Sequence, residues 1–227
     1  MSKPLSERTL GIIHASSLTI RAIQPYVDKY IPDVSVMHLA DDTIQRDNMR
    51  SPVGVIPKVN YYKFAQYAHN LEEAKVDMIL LACSTFNYAA ELARPMINIP
   101  IQQIDRPMME LAVSQFTHIG LLATLKMTVP SSERLLRIVA NEKGKQIDIK
   151  TVLCEQAFAA IEKGDVKTHN AILIKEVHKL AESVECIVMA QLSMSALAPE
   201  LTTVKVPVYN SGDTGLARVR DMLLAMD

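Results

Sequence analysis

Cys83 is followed by Ser84 and Thr85, and the three stand between an apolar run and a helical stretch. A thiol at a helix start feels the positive end of the helix dipole, which lowers its pKa and favours thiolate. Free backbone N–H groups and the two neighbouring hydroxyls would suit a substrate carboxylate. The same position also suits a small buried hydrophobe, because free cysteine is among the most buried residue types. Ser16, Ser17, Thr124 and Thr128 stand at further strand-to-helix junctions. A hydroxyl there can cap a helix and bind an anion at once. Ser16 and Thr124 are the preferred ligand contacts. Asp41 and Asp42 end another strand and read as a helix cap or loop rather than as acid–base groups. Cys154 and Cys186 read as packing residues.

The remaining chemistry-bearing types are sparse. Six histidines, His14, His38, His69, His118, His169 and His178, show neither HExxH nor HxH spacing, and most read as surface or core residues. With no CxxC either, no metal site is expected. An odd count of three cysteines argues against a disulfide framework and fits a reducing cytosol. The N-terminus is polar, and its first apolar run, 10–13, is too short for a signal sequence or a membrane span. A cytoplasmic protein is expected. Net charge is −1 with no Lys/Arg block, so neither nucleic acid nor an anionic membrane is an expected partner.

The elements that position these residues follow a β–α rhythm. Hydrophobic residues make up 49% of the 227, enough for a real core. Apolar runs at 9–15, 34–39, 76–82 and 99–103 read as strands, and those at 117–123, 147–153, 185–190 and 204–209 repeat the series. Helical periods fill 18–30, 58–75, 86–94, 106–115, 131–142, 155–163, 168–182 and 214–225, with a short helix near 194–198. Residues 41–52 read as a loop. Alternation of this kind predicts an α/β protein with mainly parallel sheets flanked by helices.

The halves resemble each other. Gly11 within LGIIHA matches Gly120 within IGLLAT, VDMILLAC (76–83) aligns without a gap onto VECIVMAQ (184–191), and Ile99-Pro100-Ile101 matches Val206-Pro207-Val208. The offsets are 109, 108 and 107 residues. Asp105 and Asp213 follow the last pair as expected helix N-caps. The expected architecture is two duplicated, pseudo-symmetric lobes, 1–104 plus 211–227 and 105–210. Ligands of open α/β sheets bind beyond the strands' C-terminal ends. Two lobes facing each other would therefore bring Ser16 and Thr124, and Cys83 and Gln191, to one cleft.

The segments ILLACSTFNYAAELA (79–93), IGLLATLKMTVPS (119–131), IVMAQLSMSALAP (187–199) and VPVYNSGDTGLA (206–217) resemble the aspartate/glutamate/hydantoin racemase superfamily. The resemblance implies two lobes, no cofactor, a small carboxylate substrate and frequent homodimers. It carries the catalytic role to Cys83 and carboxylate binding to Ser84 and Thr85, with Thr124 at another ligand-binding junction. Members typically take one cysteine from each lobe. Here the second falls on Gln191, which hydrogen-bonds but does not titrate near neutrality. The implied function is an isomerase or lyase acting on a small carboxylic acid or amino-acid derivative through Cys83, with Gln191 and Ser193 holding the substrate or an enolate oxygen. Two alternatives stand beside it. One is a racemase or epimerase in which Asp41, His14 or a water supplies the second acid/base. The other is a non-catalytic small-acid binding protein.

Overall fold

The computed structural model describes residues 3–227. Its first sheet consists of β1 (Thr9–His14), β2 (Ser35–Ala40), β3 (Met78–Leu81) and β4 (Ile101–Gln103), all parallel, in the order β2-β1-β3-β4. The second consists of β5 (His118–Ala123), β6 (Asp148–Leu153), β7 (Cys186–Met189) and β8 (Val208–Asn210), in the order β6-β5-β7-β8. The topology is the same twice, as the repeat predicts. The inner strands β3 and β7 are buried at every residue. The edge strands β2 and β6 share one alternating pattern of exposure. Strands covered by helices on both faces must be apolar throughout, while an edge strand can alternate.

Helices cover both faces of each sheet. On one face of the first, α3 (Lys58–Glu73) and α4 (Tyr88–Ala93) pack Phe64, Leu71 and Ala90 against Ile13, Ile79 and Leu81. On the other lie α1 (Leu18–Tyr30) and the C-terminal α9 (Ser211–Ala225), whose Leu216, Val219 and Leu223 join Leu10, Ile12 and Leu80. The second sheet is covered by α5 (Arg106–Gln115) and α6 (Thr128–Glu142) on one face. Its other face carries α7 (Glu155–Glu162), α8 (Val166–Leu180) and a 3-10 helix at Leu192–Leu201. Thus α5 follows β4 but packs on the second sheet, while α9 follows β8 but returns to the first. No helix among the described residues is long and apolar enough to cross a membrane.

Three expectations need correction. Residues 41–52 are not all loop, since they contain α2 (Asp42–Arg50). It has few apolar residues and therefore little helical period. It forms because Asp41 caps it, accepting from Thr43 N at 2.9 Å, and because Ile44 and Asn48 bury one stripe. The short helix near 194–198 is instead the ten-residue 3-10 helix. Asp213 is not an N-cap, because Asn210 holds that position and accepts from Asp213 N at 2.8 Å.

Equivalent close contacts recur in both halves. A Cβ on Gly11 would stand 2.7 Å from Leu71 Cδ1, and one on Gly120 would stand 2.8 Å from Leu180 Cδ2. Both pairs keep the 109-residue offset. Asp77 accepts from Thr9 N at 2.7 Å, and its counterpart Glu185 accepts from Thr117 N and His118 N at 2.8 Å each. Filling the space over Gly120 should therefore strain the core. Gly120→Ala is expected to lower stability by about 1–3 kcal/mol through overpacking, and Leu180→Ala by about 2–5 kcal/mol. Denaturant unfolding should show the double variant losing less than the sum. Full additivity would mean that the two side chains do not compete for this space.

Candidate functional site

The strand ends of the two sheets open onto one cavity of about 300 Å³. Cys83 and Gln191 each stand two residues beyond their strands, β3 and β7, and both line it. Ser16, Ser84, Thr85, Thr124 and Ser193 line it too. Cys83 and the six residues expected to bind substrate are therefore brought to one place. One equivalence shifts by a residue. β1 ends at His14 and β5 at Ala123, so the counterpart of Thr124 is Ala15, and that of Ser16 is Leu125. All four residues line the cavity.

The orientation of Gln191 follows from its partners. Its Oε1 accepts from Thr124 N at 2.7 Å, from Thr124 Oγ1 at 3.1 Å and from Leu125 N at 3.4 Å. A backbone N–H can only donate, so the amide oxygen must face it. This leaves Nε2, with its two hydrogens, without a protein partner among the described residues. The two lobes also bond directly beside Cys83. Thr85 Oγ1 and Thr128 Oγ1 lie 2.9 Å apart, and Ser131 Oγ donates to Asn87 Oδ1 at 3.0 Å.

Cys83 departs from its expected electrostatics. The chain turns through residues 84–87 before α4 begins at Tyr88, so the thiol does not sit at the mouth of that six-residue helix. Burial pushes the thiol up to about 11. Backbone N–H groups of Phe86 and Thr85 act in the opposite direction, and the Asp105 charge adds to the rise. Asp105 is itself fully buried, and burial raises its carboxyl to about 6. Asn87 Nδ2 donates to its Oδ2 at 3.1 Å, while its Oδ1 has no partner. Asp105 occupies the N-cap position of α5 but makes no side-chain cap bond.

The two named candidates for a second acid/base do not line the cavity. Asp41 is held at about 2, well below the usual carboxylate range. Burial alone would raise it, but Thr43, Tyr67 and Lys63 together outweigh that effect. His14 is buried, with Nδ1 2.7 Å from Thr19 Oγ1 and Nε2 2.9 Å from His38 Nδ1. Burial and the neighbouring His38 lower it to about 4, so it is neutral at pH 7. Cys154 and Cys186 are buried in the second lobe's two cores.

Some lining residues were not legible in the sequence. Gln45 comes from α2, Phe158 and Ile161 from α7, and His169 from α8. Helix residues that reach a cavity over a strand end leave no period of their own. The cleft geometry supplied by the repeat was the one available signal. Among the described residues no group of three or more His, Cys, Asp or Glu could hold a metal ion.

The model of the family described as Asp/Glu/Hydantoin racemase matches residues 13–219. No curated protein sequence matches the chain. A glutamate racemase from Francisella tularensis subsp. tularensis SCHU S4, solved with D-glutamate, superposes with a TM-score of 0.70 at 17% identity, over 96% of this chain and 81% of that one. The aspartate racemase of Picrophilus torridus gives 0.69 at 17% identity, over 95% and 94%. An allantoin racemase from Klebsiella pneumoniae gives 0.64 at 16% identity, over 96% and 88%. At these identities the superpositions speak for the fold. The family pattern spans nearly all of the sequence, and on that ground the chain belongs to the Asp/Glu/hydantoin racemase family of enzymes.

Proposed function

We propose that this enzyme moves a proton at the carbon beside a small substrate's carboxylate, without a cofactor, as an isomerase or lyase using Cys83. The carrying observation is that Cys83 and Gln191, whose Oε1 is held by Thr124, line one cavity from equivalent strand ends of the two lobes. In this reading the carboxylate lies against Ser84, Thr85 and Thr124, with Ser16 and Ser193 at the rim. Gln191 Nε2 donates to the oxygen on which charge collects as the α-carbon becomes an enolate. Fixed donors in a water-poor site stabilise such charge more than water does. Glutamate, aspartate and allantoin, the substrates named for the structural relatives, share an acidic C–H beside a carbonyl-type carbon, and this chemistry is carried here to a small carboxylic acid or amino-acid derivative.

The proton state of Cys83 limits how it acts. With a thiol near 11, roughly one molecule in ten thousand carries thiolate at pH 7. The resting thiol is therefore a proton donor, and it becomes a base only after losing its proton to another group. Asp105 bears directly on this balance. Its carboxyl, near 6, is mostly ionised at pH 7 and above and holds the thiol up.

Alkylation of Cys83 by iodoacetamide should rise about tenfold per pH unit and show no plateau below pH 10. Asp105→Asn should speed it at pH 8, because removing the charge lowers the thiol's pKa. A plateau near pH 7 would show an activated thiolate instead. The function itself is read by proton NMR in D₂O with a panel of small chiral and unsaturated carboxylates, wild type beside Cys83→Ala. Loss of an α-proton signal, decarboxylation or isomerisation is expected in wild type, reduced about 10²–10⁴-fold in the variant for at least one enantiomer of a chiral substrate. Turnover that Cys83→Ala leaves intact would remove the thiol from the reaction.

A further inference from the structure

Among the described residues, two side chains of the cavity lining carry a group able to take up or release a proton. One is Cys83; the other is His169. They come from different lobes. Cys83 follows β3 of the first sheet, whereas α8 carries His169 and packs Leu173, Val177 and Leu180 on the second. The imidazole is 5% exposed and stands beside the apolar Phe158 and Ile161. Its Nδ1 lies 3.1 Å from the carbonyl oxygen of Ala157. A carbonyl can only accept, so Nδ1 carries the hydrogen, and Nε2 of the neutral ring carries a lone pair. Among the described residues Nε2 has no hydrogen-bond partner.

We propose that His169 is the second proton-transferring residue, acting through Nε2 on the substrate face opposite Cys83, so that the reaction inverts configuration. This rests on the carboxylate-enzyme reading of Cys83. With the ring neutral and the thiol protonated, Nε2 takes the α-proton of one enantiomer. The C–H electron pair passes into the carboxylate as an enediolate, whose charge Gln191 Nε2 meets. Cys83 then gives its S–H proton to the other face. The turnover leaves an imidazolium and a thiolate. That pair converts the opposite enantiomer by the same steps reversed, returning imidazole and thiol. One proton is shared between the two residues throughout, and no oxidant or co-reactant is consumed. The fixed Nδ1–H keeps Nε2 turned from the Ala157 carbonyl in both states.

Separate enantiomers of aspartate, glutamate, allantoin and 2-phenylpropionate, incubated in D₂O, test the assignment by proton NMR and chiral chromatography together. Wild type should incorporate deuterium with inversion. His169→Asn keeps a donor for the Ala157 carbonyl while removing Nε2. It should lose inversion about 10²–10⁴-fold yet retain Cys83-dependent exchange, without inversion, on one enantiomer. Cys83→Ala should show the mirror result on the other enantiomer. Where His169→Asn does not fold, His169→Gln takes its place, and the stereochemistry of wild type needs no variant. Exchange by wild type with retention only, or inversion at the wild-type rate in a folded His169 variant, overturns the His169 role and leaves Cys83 standing. No exchange of any substrate, or exchange of both enantiomers unaffected by Cys83→Ala, overturns the carboxylate reading and the His169 role with it.

Discussion

Burial of the inner strands on both faces is the constraint from which the rest follows. β3 and β7 have no exposed residue, and β1 and β5 expose little beyond their first. Strands of this kind can carry polar chemistry only at their ends. Parallel sheets place all the C-terminal ends on one side. Duplication sets two such sides face to face, and the crossing of α5 and α9 between lobes joins them. The cavity is a product of that packing, and its polar contacts come from strand ends, from the turns that follow them and from helices such as α2 and α8 that reach over them.

The electrostatics follow from the same burial. Among the described residues, no Arg, Lys, Asp or Glu lines the cavity. Its polar groups include hydroxyls and an amide, neutral donors whose effect on an anion grows as water is excluded. Asp105 is buried, and its charge acts on Cys83. It opposes ionisation of the thiol, as burial does. Cys83 and His169 line the same cavity from different lobes, and the thiol is held protonated at neutral pH by burial and by the Asp105 charge.

Much of this was legible in the sequence because the repeat is written in packing residues. Gly11 and Gly120 keep their spacing from Leu71 and Leu180 since a Cβ would collide with either leucine. Inner strands showed as unbroken apolar runs, and the junctions Ser16, Cys83, Thr124 and Gln191 followed from where those runs stop. α2 was hidden because it buries little more than Ile44 and Asn48, and one of the two is polar. The thiol's proton state was misread because the sequence shows a helix nearby but not the turn of four residues between, nor the burial of Asp105 behind it. Asp41 and His14 stood near the correct strand ends in sequence, yet each is satisfied by its own neighbours, Thr43 and Tyr67 for one and Thr19 and His38 for the other. His169 looked ordinary because only tertiary packing brings α8 to the cleft.

A crystal structure of the protein soaked with a slowly reacting small carboxylate would test the central claim most directly. The expected result is a carboxylate in the cavity between the lobes, accepting from Gln191 Nε2, with its α-carbon toward Cys83 Sγ. A carboxylate bound elsewhere, or one seated in the cavity with its α-carbon turned away from Cys83, would contradict it.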